Sequence, residues 1–221
     1  MSTIVFDPYK KVPIGTFLPK ITYALSTEDG GVDEDAVSSY AVDVMIDFAS
    51  RTRIIRRDIR IKLQPCVSTY RVDPQDCVDI IALLRVCYPG HQVTVVPREK
   101  CGVGCAATCG PVTVSLDEDN ILHISPPPPA GDPDIFLDLT VAVAPKRDAC
   151  EVDEVLYTKY APVIVAGTLA EMYKNGVSPW FNLNLAQVRE IEYNRRISAV
   201  GVDRILGRAT GPFKMRGTRI I

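Results

Sequence analysis

Histidine is nearly missing from this chain: His91 and His123 are the two in 221 residues. A Ser/His/Asp or Cys/His nucleophile system would have to use one of them. Neither sits in a nucleophile motif, and there is no G-x-S-x-G or H-E-x-x-H anywhere. Both histidines read as structural imidazoles, and no catalytic residue is assigned. Long hydrophobic runs are missing too. The most apolar stretches, 78–86 and 161–170, fall well short of the roughly 20 residues that cross a bilayer. The first residues lack a basic region followed by an apolar run, so neither a signal peptide nor a membrane partner is expected. Seven cysteines, an odd number without an export signal, read as free thiols in a reducing compartment.

Other chemistry-bearing motifs fail on context. Cys101, Cys105 and Cys109 form C-x3-C-x3-C in a Gly-rich loop. Zinc sites use C-x2-C pairs and four ligands, and here the fourth would have to come from His91, His123 or Cys87. Small residues in a tight loop are the preferred reading, so no metal and no cofactor is expected. The competing reading is a thiol- or metal-dependent hydrolase built on that loop and a histidine. Gly102–Ala107 matches G-x-G-x-x-A by letter, but no apolar strand precedes it and Cys109-Gly110-Pro111 blocks a following helix. Asp33/Asp35, Asp117/Asp119 and Asp132/Asp134 are explained by a helix start, a hairpin tip and a post-proline turn. Asp117-x-Asp119 also lacks the glycine and distal glutamate of a calcium loop.

What is present is an ordinary globular composition, 47% hydrophobic and 24% charged, with its charge unevenly spread. From Arg189 onward, Arg189, Arg195, Arg196, Arg204, Arg208, Lys214, Arg216 and Arg219 face three acids, Glu190, Glu192 and Asp203. That segment carries +5 and the first 188 residues carry −7, for the overall −2. A basic end on an acidic body suits head-to-tail association between copies or partners. The basic series is too dispersed, and too poor in aromatics (Tyr193, Phe213), for sequence-specific DNA reading. Non-specific contact with a phosphate backbone, or with an acidic protein groove, fits it. A monomeric nucleic-acid-binding module is thus a further reading.

Along the chain, Pro8, Pro13, Gly15 and Pro19 break up residues 1–31, which read as an extended arm with a short strand at Ile21–Leu25. Asp33 caps a helix whose apolar face is Ala36, Val37, Tyr40, Ala41, Val44, Met45, Phe48 and Ala49, with Asp43, Asp47 and Arg51 on the other side. Strands follow at Asp58–Leu63, Val67–Val72, Val78–Tyr88 (buried), His91–Val96, Val112–Leu116, Ile121–Ile124 and Phe136–Ala144. A helix over Glu151–Lys174 begins near Tyr160 or is kinked there by Pro162. After Pro179-Trp180, Asn182 or Asn184 caps a long helix with a thin apolar face (Leu185, Val188, Ile191, Ala199, Val202, Ile205) diluted by Arg195. Such a helix packs on one partner and presents the rest to another. The expected architecture is α+β: an antiparallel bundle of about three to four helices with an inserted β domain, an extended N-terminal arm and a C-terminal tail. Its parts are the arm 1–31, a helical domain from 32–56 and 150–206, the β domain 57–149 and the basic tail 207–221.

Several pieces in this order resemble the head-to-tail adaptor (connector) proteins of tailed bacteriophages, the group that includes tail tubular protein A. They are the opening helix ending in Phe48-Ala49-Ser50-Arg51-Thr52-Arg53, a strand pair around Thr69-Tyr70, the strand Ile80–Val86, and Ile121-Leu122-His123-Ile124-Ser125-Pro126. Val143-Ala144-Pro145 with Asp148, a helix holding Tyr160, Gly167 and Ala170, and Pro179-Trp180 before the last helix complete the match over residues 32–206. The Cys101–Cys109 loop and the prolines at 126–129 depart from it. The resemblance implies a structural, non-enzymatic ring, usually dodecameric, under the capsid portal at the virion neck, made in the host cytoplasm. It implies a channel passing double-stranded DNA without sequence specificity, and a platform for the next tail or nozzle protein. It also implies that Arg189 through Ile221 reach along the portal, so the eight basic residues named above are the portal or subunit contacts. The soluble monomer would ring only on the portal.

Overall fold

A computed structural model describes residues 3–6, 10–25, 33–74, 77–90, 92–96, 112–129, 135–176 and 178–206, without the side chains of 3–6 and 203–206. In chain order it contains β1 (Thr3–Phe6), β2 (Lys11–Pro13), a 3-10 turn (Ile14–Phe17), α1 (Leu18–Leu25), α2 (Glu34–Thr52), β3 (Arg56–Lys62), β4 (Thr69–Arg71) and β5 (Val78–Cys87). There follow β6 (Val93–Val95), β7 (Val112–Leu116), β8 (Ile121–Ser125), β9 (Phe136–Pro145), β10 (Glu151–Asp153), α3 (Glu154–Thr158), α4 (Ala161–Lys174) and α5 (Leu183–Leu206).

β9 organises the main sheet because it is apolar on one face throughout and on both near its end. It pairs antiparallel with β3 on one side and β5 on the other, and β1 pairs with β3, giving the order β1-β3-β9-β5. Alternation turns Arg57, Ile59 and Ile61 of β3 and Leu137, Leu139 and Val141 of β9 inward. α2 packs on β9 and buries Ala41, Met45, Phe48 and Ala49, part of the stripe expected from its periodicity. The Asp33 side chain accepts from Asp35 N and Ala36 N, as its position before the helix predicts. β5 ends the sheet and, unlike the buried strand expected, is mostly half-buried, with two register breaks against β9.

A second sheet has the order β4-β8-β7-β6, antiparallel except for the parallel pair β6–β7. Its β7–β8 hairpin forms where expected. Asp117 Oδ1 accepts from Asp119 N and Ile121 N, and Asn120 takes the left-handed conformation (φ 58°) that a three-residue hairpin loop needs. Tyr70, buried in β4, uses its hydroxyl to hold the backbone of Gln64 and Val67.

An antiparallel helical bundle with an inserted β domain is not the architecture. α2, α4 and α5 pack on one another, but they are a layer laid on the sheet and not a separate bundle: α2 lies against β9, and one contiguous core runs from Ile14 through both four-stranded sheets to Val200. Nor are the first residues an extended arm. β1 is the outer strand of the main sheet, β2 pairs with β10, and Ile21–Leu25 is helical rather than a strand. Ile14, Phe17, Ile21 and Leu25 all face the core, at the spacing of a helix face. Pro19 is tolerated because it sits in the first turn of α1, where its missing N–H has no partner to lose. The expected Glu151–Lys174 helix divides into strand β10, the short α3 and then α4 after Tyr160, with Pro162 in the first turn of α4.

Candidate assembly interface

α4 is the middle helix of the helical layer and is buried nearly all round, from Ala161 to Tyr173. α5 packs against it and against α2. Asn182 rather than Asn184 starts α5: its Oδ1 accepts from Leu185 N at 3.1 Å, while its own N–H donates to Tyr173 O at 3.0 Å and ties the start of α5 to the end of α4. Farther along, the Tyr193 hydroxyl donates to Asp47 Oδ2 at 2.8 Å, and Arg51 bonds Asn194 Oδ1 at 2.8 Å, fixing α5 to α2.

The three helices approach closely at Gly167. A Cβ there would lie 2.6 Å from Val44 Cγ1 and 2.9 Å from Tyr193 Cε2, so only glycine fits the crossing.

The face α5 buries is Ala186, Tyr193, Ile197 and Val200. This reverses the expected orientation. Of the residues assigned to its packed face, Leu185 is 44%, Val188 59%, Ile191 69% and Val202 52% exposed; Ala199 is exposed as well, and the Ile205 side chain lies outside the described residues. An apolar line on the solvent side of a well-packed helix is the least ordinary surface of the molecule.

The basic residues divide into two groups. Glu192 stands between Arg189 (2.9 Å) and Arg196 (2.8 Å), one turn away on either side. Hydrogen bonds from Arg196 and then Arg189 hold its carboxyl below the usual carboxylate range. These two arginines are therefore engaged within their own helix. Arg195 is exposed, in the middle of the apolar line, and makes no ion pair among the described residues. Arg204 is helical, its side chain undescribed; Arg208, Lys214, Arg216 and Arg219 lie outside the described residues.

Between α2 and α5 runs an open groove of about 420 Å³, floored by Gly167 and Ala170 and walled by Asp43, Asp47, Glu171 and Glu190, with Arg51 the one cation of its lining. Lys174 bridges Glu171 and Glu190 at 3.0 and 3.1 Å. Burial alone would lower its pKa, but the two carboxylates outweigh that and raise it. Burial, then the hydrogen bond to Asp47, push the Tyr193 phenol well above its ordinary value. A raised folded pKa means that the neutral phenol's contribution is complete below the unfolded value of about 10 and is lost as pH climbs from there toward the folded value. Tyr193→Phe is expected to cost about 1 kcal/mol in urea unfolding at pH 7. The wild-type advantage should shrink above about pH 10; an advantage that grows there would contradict the assignment.

The remaining sequence candidates do not gather into a site. His123 Nε2 lies 3.2 Å from Asp117 Oδ2 across the hairpin, a local lock. His91, Cys101, Cys105, Cys109, Asp132 and Asp134 fall outside the described residues. Among the described residues no group of three or more His, Cys, Asp or Glu could hold a metal ion, and no helix is long and apolar enough to cross a membrane.

No protein-family model matches the chain, and no curated protein matches it.

Proposed function

We propose that this chain is a structural adaptor that assembles as a ring beneath a capsid portal, at the head–tail junction of a tailed phage, and extends the DNA channel toward the next tail component. The observation that carries the reading is the solvent-facing apolar line of α5 on a helix otherwise bolted to α2 and α4. A helix fixed so firmly, yet apolar on its outer side, is built to be covered by another protein. The basic end beyond it supports the same reading, because residues 207–221 hold four basic residues and no acid, suited to an acidic partner surface. In the family the chain resembles, such rings are usually dodecameric.

Mixed with a capsid portal protein from a tailed phage, the chain is expected to form ring-shaped particles with a central channel, visible by negative-stain electron microscopy. Deleting residues 207–221 should abolish attachment and leave the unfolding midpoint unchanged, because the segment is mostly glycine and polar or basic residues, with little apolar content to give a core. A chain that neither binds the portal nor forms a ring with it would sink the reading.

A further inference from the structure

The outer line of α5 and the groove beside α2 are complementary. Val188, Ile191, Arg195, Ala199 and Val202 recur at steps of three and four and so lie along one line of the helix. The line is about 21 Å long, apolar apart from one central cation. The groove offers the converse: an apolar floor at Val44, Gly167 and Ala170, and four carboxylates against the single guanidinium of Arg51. Lys174 offsets part of that charge, as does the largely exposed Arg147, 3.7 Å from Asp43. An exposed pair at that distance is weak and screened.

We propose that the outward face of α5 docks on a second copy of this chain, seating Arg195 in the groove between α2 and α5 of that copy. This inference rests on the assembly reading above and names its subunit contact. Two features select this occupant and this geometry. A two-fold contact centred on the line would set Arg195 against its own mate, so a symmetric pairing of the two lines is disfavoured. The line and the groove wall formed by Glu190 and Asn194 are also separated by about 120° around α5. One copy can therefore give its line to one neighbour and accept another neighbour's line in its groove. A contact of that kind is heterologous, and it closes into a ring when the rotation permits.

The full chain carrying p-benzoylphenylalanine in place of Ile191 tests this directly. Irradiated as a mixture of isotopically light and heavy protein, it should give cross-links between copies that map to residues 40–51 or 167–175. In sedimentation at low salt, Ile191→Glu and Arg195→Glu should each weaken self-association by about tenfold or more. Asp43→Arg should do the same, and Arg195→Glu combined with Asp43→Arg should recover much of the loss. Cross-links confined to one copy or mapping elsewhere overturn the inference. So do association indifferent to these variants and, with the portal present, the absence of any cross-link between copies. If rings still form on the portal with Ile191→Glu, this contact falls and the adaptor reading stands. If contacts through this surface persist but no ring forms, the adaptor reading falls and the contact stands.

Discussion

Asp153→Ala is expected to lower stability by about 3–5 kcal/mol in urea unfolding, the largest single-residue effect in the molecule. Asp153 closes β10, precedes α3, and accepts from Arg57 Nη2 at 2.6 Å, with the two side chains 4% and 1% exposed. The pair joins the inner face of β3 to the β2–β10 ribbon. Removing the carboxylate leaves the buried Arg57 guanidinium, whose Nη1 also donates to Arg56 O, without its Asp153 counter-charge, and the desolvation of that charge, more than the lost attraction, dominates the cost. Replacing both, Arg57→Met with Asp153→Leu, should recover most of the loss or better, since a well-packed apolar pair avoids desolvating either ion. A single replacement costing less than about 1 kcal/mol, the range of exposed pairs, would show that water reaches Arg57 and that the junction is looser than its geometry.

Gly167→Val is expected to cost about 3 kcal/mol, with Gly167→Ala intermediate. On an open helix face, alanine would gain about 1 kcal/mol over glycine, so even a modest net loss requires a larger steric penalty. The neighbours have little room to yield. Val44 is β-branched and buried, and the Tyr193 ring is held by its hydroxyl on Asp47. Trimming Val44 to alanine should therefore soften the Gly167→Ala penalty in a double-mutant cycle. Simple addition of the two losses would show that the crossing is not the source of the constraint. The same substitution should disturb the groove above Gly167, because α2 and α5 would have to separate to admit the new side chain.

Elements with one clear period were legible in the sequence. α2 follows from Asp33 and a single apolar stripe, and the β7–β8 hairpin from alternation around Asp117–Asn120. α1 was obscured because Pro13, Gly15 and Pro19 read as breakers, although Ile14, Phe17, Ile21 and Leu25 carry the helical spacing. β10 is three residues long, too short to display a period, and its pairing with β2 spans most of the chain. α5 bears two apolar lines, and periodicity cannot say which one packs. The choice belongs to the tertiary level, to the Tyr193 hydroxyl reaching Asp47 and to the space left by Gly167. The candidate interface was half visible: Asp43, Asp47 and Arg51 stand opposite the apolar stripe of α2 in sequence as in structure. The expected contacts included Arg189 and Arg196, although the 189/192/196 spacing places both within reach of Glu192, which engages them and leaves Arg195 as the free cation of this helix among those whose side chains are described.

β5 has a consequence for solubility. A ten-residue, half-buried strand at the end of a sheet is a template on which foreign strands could crystallise into fibres. Its register with β9 breaks between Ile80 and Ala82 and again between Leu83 and Arg85, so no uninterrupted stretch exceeds three residues. Bulges of this kind twist an edge and put its donors and acceptors out of step with a straight newcomer. The exposed Asp79 and Arg85 add charge to the same strand. At high concentration, then, the molecule is guarded against amyloid-like growth along this edge.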